Sequence, residues 1–273
     1  MIKQVQSLPQ LNDFKQLPTE NIHEFNATGH TLVKQVLTAD EIAAYHPVIV
    51  DAADRYNTEK RKLQDRDTYG RAFLQIMNLW QSDDEVRKFV LAKRMAKIAA
   101  DLMGVENVRL YHDQALFKEP GGGPTPWHQD QFYWPIDTIN TVTMWMPLVD
   151  IDTDMGMLTF ASGSHTNGAV FDFEISDESD TAFNDYVKQH KFPISKAQTM
   201  KAGDATWHRG FTMHHASGNN SNKRRETMTI IYVADGARIT PYQNEWQKND
   251  HEKWLMGKPI GELIDSKLNP KLL

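Results

Sequence analysis

A mainly β fold with flanking helices, of the β-sandwich or jelly-roll type, is what this chain predicts, on three observations. The first hundred residues carry helical patterning. From Val105 to about residue 235 the sequence breaks into short β-branched and aromatic runs with turn residues between them. No repeat, low-complexity tract or Pro/Gly/Ser linker separates the two parts. At 273 residues the chain can bury a substantial core. The expectation is one domain over 1–273, with 1–104 as helical support, 105–235 as the β core and 236–273 as a tail.

In chain order, Thr38-Ala39-Asp40-Glu41 has the spacing of a capping box and predicts a helix running to about Arg55. Ser82-Asp83-Asp84-Glu85 repeats that signature. It predicts one further helix with Val86, Phe89, Val90, Met95, Ile98 and Leu102 on its apolar face, ended by Gly104. Strands are expected at 108–117, 141–149, 157–161 and 227–234, with turns at 120–124 and 217–222. Residues 166–196 are long and polar, with an acidic run at Asp177-Glu178-Ser179-Asp180. They read as an insertion with too little apolar periodicity to be rigid, placed to serve as a mobile lid. The tail beyond Asn249 is polar and only weakly helical.

Composition narrows the function classes. An apolar fraction of 40% and a charged fraction of 24% are those of an ordinary soluble globular protein. A net charge of -6 leaves no basic stripe to displace counterions from nucleic acid, and Lys223-Arg224-Arg225 is too short to change that. The absence of cysteine excludes disulfides, thiolate catalysis and Cys-ligated metal, so a metal would have to be held by His and carboxylate. No apolar stretch has the length of a membrane span and the first residues lack the apolar segment of a signal peptide, so a cytoplasmic setting is expected.

The chemistry is concentrated in Trp127-His128-Gln129-Asp130, answered far downstream by His214 and Arg225. With eleven His in the chain, a His-x-Asp pair also arises by chance, so its surroundings carry the argument. In an extended segment His128 and Asp130 point to one face and can grip one ion. The pair follows a glycine-rich loop and precedes the aromatic Phe132-Tyr133-Trp134. His208, His214 and His215 put three imidazoles within eight residues of one stretch. A strand, a polar turn and a returning strand would bring Arg225 back beside them. Two imidazoles and a carboxylate form the facial triad of non-haem Fe(II) sites. A nearby Arg supplies the cation for the remote carboxylate of 2-oxoglutarate. A cupin-like metal-binding isomerase or degenerate sensor would need the three ligands but not Arg225. A zinc hydrolase would want Glu226 as general base, and on a strand Glu226 should point away from Arg225.

These residues resemble the phytanoyl-CoA dioxygenase family. The likeness runs through Lys118-Glu119-Pro120 with its glycine loop, Trp127-His128-Gln129-Asp130, Asp150, Gly156-Met157-Leu158 and Gly163-Ser164-His165. It continues through Gly203-Asp204, His214, Asn219 and Arg225, and is strong over about residues 105–235. The resemblance implies a double-stranded β-helix, or cupin-like jelly roll, that uses Fe(II), 2-oxoglutarate and O2. In the family the distal His precedes the 2-oxoglutarate Arg by eleven positions, which selects His214 over His215. The resemblance implies metal ligands His128, Asp130 and His214, and cosubstrate contacts from Arg225, Lys118, Gln129, Trp145 and Gln114. His112 and His165 are expected to be structural. The chain departs from the family at Ala216, where a small hydroxyl residue is common; Thr227 or a water would have to replace that bond.

What the resemblance implies chemically is decarboxylation of 2-oxoglutarate to succinate and, usually, a hydroxyl placed on a C–H bond. Related halogenases lack the carboxylate that Asp130 supplies here, so hydroxylation is favoured over halogenation. A small-molecule substrate is expected, with Tyr133, Trp134 and Phe211 as candidate contacts suited to an apolar or ring-containing molecule.

Overall fold

The computed structural model describes residues 7–170, 177–196 and 198–273. Six short helices precede or interleave with the first strands: α1 (Thr19–Thr28), α2 (Ala39–Tyr56), α3 (Thr68–Ala72), α4 (Leu79–Ser82), α5 (Asp84–Val90) and α6 (Lys93–Met103). Helix α2 opens on the expected capping box. The Thr38 side chain accepts from Glu41 N, and the Glu41 carboxylate accepts from Thr38 N. The second expected helix is two. Asp83, not Ser82, caps α5 by accepting from Glu85 N and Val86 N, and extended backbone at Ala92 separates α5 from α6. The break lets α5 pack against α2 while α6 turns onto the sheet. The six apolar residues expected on that face are all buried, and Gly104 closes α6 in the left-handed conformation.

Among the described residues ten strands follow: β1 (His30–Val33), β2 (Leu74–Met77), β3 (Val108–Lys118), β4 (Thr125–His128), β5 (Thr141–Pro147), β6 (Leu158–Ala161), β7 (Ile194–Lys196), β8 (Ala205–Arg209), β9 (His214–Ala216) and β10 (Arg225–Ala234). They form a six-stranded sheet in the order β1-β8-β5-β10-β3-β2 and a four-stranded sheet in the order β4-β9-β6-β7, with antiparallel pairing throughout. This is the double-stranded β-helix with flanking helices. Strand alternation divides the larger sheet. Ala115, Phe117, Met144, Met146, Trp207, Met228 and Ile230 face the helices and build the main core with them. The alternate residues face the smaller sheet and leave a cavity of about 680 Å³ between the two.

The 166–196 stretch differs from its expectation where it is described; residues 171–176 lie outside the described residues. Helix α7 (Asp177–His190) carries Phe183 and Val187 into a small core with Trp127, Ala161 and Met213, and β7 joins the smaller sheet. Two apolar residues one helical turn apart suffice to anchor it, a periodicity that the surrounding polar residues obscure. The tail is also anchored. Helix α8 (Glu245–Lys253) packs beside Asp130–Tyr133, and Leu110 N and Leu272 N bond Pro270 O and Val108 O. No helix among the described residues is long and apolar enough to cross a membrane.

Candidate active site

His128 ends β4 and His214 begins β9, and the two are direct partners across the strands, with ring centroids 4.1 Å apart. Each ring is oriented by a local carbonyl: His128 Nδ1 lies 2.8 Å from Pro126 O, and His214 Nδ1 lies 2.9 Å from Thr212 O. A carbonyl can only accept, so Nδ1 carries the proton and the Nε2 lone pair is left for a metal. Burial, with the neighbouring imidazoles, pushes the His214 pKa far below its ordinary value and keeps the ring neutral. Asp130 starts the turn just after β4 and brings Oδ1 to 3.5 Å from His128 Nε2 and 3.6 Å from His214 Nε2. Its other oxygen, Oδ2, accepts from Thr143 Oγ1 at 2.7 Å and from His208 Nε2 at 3.1 Å. Burial opposes the charge on Asp130, but the surrounding imidazoles, with His208 as a hydrogen-bond donor, outweigh it and hold the carboxyl well below its usual range.

The three donor atoms lie within 4.8 Å of one another. Adjacent ligands about 2.1 Å from an octahedral ion lie roughly 3 Å apart, so a small inward movement closes this set on a metal. The donor chemistry, two neutral imidazoles and one ionised carboxylate, suits Fe(II). His215 points to the other side of β9, its ring 4.2 Å from that of Trp127.

Arg225 opens β10 directly opposite Lys118 of β3. Its side chain is buried on the floor of the cavity, its guanidinium carbon 5.2 Å from the centre of the Trp145 ring. Arg225 Nη1 donates to Gly156 O, while Nε has no partner and no carboxylate pairs with the group among the described residues. Gly156 is required there. Its φ is +78°, and a Cβ would lie 2.7 Å from Ser217 O and 2.8 Å from Lys118 Cδ. Burial drags the Arg225 pKa down to about 9. Lys118 is buried behind it, with Nζ on Gly123 O and Thr125 Oγ1, and burial together with Arg225 lowers it to about 6. One buried guanidinium without an anion, backed by an amine that burial has discharged near neutrality, describes a site for a carboxylate ligand.

Cavity wall residues follow the strand alternation. Gln75 and Met77 come from β2, His112, Gln114 and Leu116 from β3, Thr143 and Trp145 from β5, His208 from β8, and Thr229 and Ile231 from β10. Tyr133 and Trp134 also line it. Several expected site residues do not. Gln129 alternates away from His128 and Asp130. Its Nε2 donates to Gly168 O and Phe211 O, and its Oε1 accepts from Val170 N. It ties loops together and is not part of the cavity wall, and the same geometry leaves Phe211 outside. Lys118 stands behind the wall, not in it. Thr227 cannot replace the missing hydroxyl at Ala216, because its own donates to Leu116 O at 2.5 Å. His112, expected as structural, lines the cavity. His165 packs against Gly29, where a Cβ would come within 2.4 Å of its Nδ1. Glu226 faces the helices, pairing with His46 and Arg224, and so is not placed as a general base for the metal donors.

Residues that sequence reasoning missed include Thr143, His208, Gln75, Trp246 and Trp254. Thr143 was findable as the inward neighbour of Trp145 on one strand, and His208 as the third imidazole of its stretch. Nothing local signals the two tryptophans, which reach the cavity from the tail.

The fold and this donor set define the iron- and 2-oxoglutarate-dependent oxygenases. The sequence matches the phytanoyl-CoA dioxygenase (PhyH) profile over residues 25–227, and the chain belongs to that family. Among curated proteins, a probable alpha-ketoglutarate-dependent hypophosphite dioxygenase of Stutzerimonas stutzeri is 23% identical over 232 residues, covering 80% of this chain and 79% of the relative. Among solved structures, the non-heme alpha-ketoglutarate-dependent carbocyclase SnoK from nogalamycin biosynthesis aligns with a TM-score of 0.77 at 24% identity, over 94% of this chain and 97% of its own. The epimerase SnoN, in complex with Fe3+, alpha-ketoglutarate and nogalamycin RO, aligns with a TM-score of 0.75 at 24% identity, over 93% and 98%. At such identities the structural likeness establishes the fold.

Proposed function

We propose that His128, Asp130 and His214 hold Fe(II), that Arg225 binds the C5 carboxylate of 2-oxoglutarate, and that the reaction hydroxylates an unactivated C–H bond of a small molecule. The observation that carries this reading is the unneutralised Arg225 guanidinium opening into the same cavity as the three donors. A metal-binding jelly roll with no need of 2-oxoglutarate would have no use for that buried charge.

Loaded with iron, 2-oxoglutarate and O2, such a centre supplies an oxidant able to break a strong C–H bond, with succinate and CO2 as the coproducts. The chain's own residues do the positioning. Pro126 O and Thr212 O fix the ring tautomers, while Thr143 and His208 turn Oδ1 of Asp130 toward the imidazoles. Arg225 over Trp145 sets the depth at which a dicarboxylate would sit, and Lys118 behind it would regain its proton and add positive potential once the anion is bound. Tyr133 and Trp134 add aromatic surface to the wall on which a substrate would pack.

Incubating the iron-loaded protein with small-molecule extracts, 2-oxoglutarate and heavy-oxygen O2 tests the outcome. Hydroxylation gives a product heavier than its parent by one labelled oxygen. A product lighter by two hydrogens, or of unchanged mass, would instead assign desaturation, ring closure or epimerisation.

A further inference from the structure

Four side chains on the cavity wall form a hydrogen-bonded row from the mouth inward. Tyr69 OH donates to Gln75 Oε1 at 2.7 Å, Gln75 Nε2 donates to Gln114 Oε1 at 2.8 Å, and Gln114 Nε2 lies 3.5 Å from His112 Nδ1. All four line the cavity, and the row crosses from α3 through β2 to β3. Its sense is set at the phenol, a much better donor than acceptor, which claims the Gln75 carbonyl and leaves each amide nitrogen to donate to the next member. The last acceptor is then His112 Nδ1, and the proton of the neutral ring resides on Nε2. Burial holds the His112 pKa down at about 3, with Asp130 opposing, so the ring does not carry both protons near neutrality. Nε2 has no partner among the described residues. Trp134 and Trp254 neighbour the ring, with centroids 6.5 Å and 6.2 Å from that of His112.

We propose that His112 is a substrate-specificity residue: a neutral Nε2–H donor, held in that tautomer by Tyr69, Gln75 and Gln114, that selects a ring-containing substrate bearing a carbonyl or hydroxyl oxygen. The class follows from the surroundings. The neighbouring indoles add aromatic surface to the cavity wall that suits a ring, and a donor fixed beside them favours a substrate that brings an acceptor. A substrate lacking that acceptor would strand a buried N–H, which is how one hydrogen bond becomes a filter. The proposal rests on the oxygenase reading of the same cavity.

Two measurements test it. Imidazole nitrogen shifts of the Zn(II)-loaded wild-type protein report the His112 tautomer directly; the Nε2–H form is expected, with its population falling in Gln114→Met. An Nδ1–H ring in the wild type would overturn the assignment. Tryptophan quenching on the anaerobic Fe(II)–2-oxoglutarate protein then compares two probes of one shape, 2-acetylnaphthalene and 2-isopropenylnaphthalene. The ketone is expected to bind roughly tenfold tighter, and His112→Phe to abolish the difference. Equal binding in the wild type, or a ketone preference that survives in His112→Phe, would overturn it. If the wild type forms no Fe(II)–2-oxoglutarate chelate at all, it is the oxygenase reading that fails; if the chelate forms and the probes bind alike, only the role of His112 does.

Discussion

The two poles of the cavity floor are built on opposite principles. At the metal pole the three donors are oriented by partners: His128 and His214 each have a carbonyl, and Asp130 has Thr143 and His208. At the cosubstrate pole the Arg225 cation and the Lys118 amine lie buried with carbonyls and a hydroxyl but no anion among the described residues, and Arg225 Nε is unpartnered. The first pole is organised before any ligand arrives. The second is left electrostatically incomplete, so that a dicarboxylate completes it. The lesson is that one site can combine ready geometry for a metal with a stored bias toward an anion.

The largest expected effect separates the poles cleanly. Arg225→Met should weaken 2-oxoglutarate binding by about 2–5 kcal/mol, roughly 30- to several-thousand-fold. It should also leave the ligand-free protein as stable as the wild type or more so, because an unpaired buried charge is gone. Calorimetric titration and thermal melts check both. A melting temperature that drops with the affinity would mean the guanidinium supports the fold, and the contrast between the poles would collapse.

Thr143→Val probes the opposite pole. It removes one donor to Asp130 Oδ2 with little change of shape, and should lower metal affinity roughly tenfold. Competitive chelation measures this. Equal metal affinity in the two proteins would mean that Asp130 is positioned by the backbone alone.

How much of this contrast the sequence held depends on the range of each interaction. The His-x-Asp alternation and the distance from His214 to Arg225 are local patterns, and they brought the metal donors and the guanidinium into view. The capping box at Thr38 and the longer strands were legible for the same reason. Strands β2 and β9, four and three residues long, are too short to show a period. Gln129 was expected at the cosubstrate on the family resemblance, whereas in this extended stretch its side chain alternates away from those of His128 and Asp130. His112 and Trp254 meet only because β3 and the tail converge in the fold. Alternation tells which residues share a face, but not what that face looks at.

A smaller effect sharpens the cosubstrate pole through pH. Lys118 is lowered from 10.5 to about 6 in the folded protein. Between those values the unfolded chain holds a proton that the folded protein does not, so stability of the ligand-free protein rises with pH across that window. Asp113 and Asp250, raised to about 7 by burial, act in the opposite sense only below that pH. Lys118→Met should flatten the rise between neutral pH and the unfolded lysine value in urea titrations. A dicarboxylate bound at Arg225 would also restore the Lys118 proton, so 2-oxoglutarate binding near neutrality should take up protons. Calorimetry in buffers of different ionisation enthalpy measures that uptake, and its absence would place Lys118 beyond the reach of the bound anion.

The most direct test of the account is anaerobic addition of Fe(II) and then 2-oxoglutarate to the protein, followed by visible absorption. Chelation of iron by the keto acid gives a weak charge-transfer band. It is expected only when both are present, lost in His214→Ala, and shifted in Arg225→Met to much higher 2-oxoglutarate concentrations. No band with both ligands present, or a band formed in Arg225→Met at the same 2-oxoglutarate concentration as in the wild type, would contradict it.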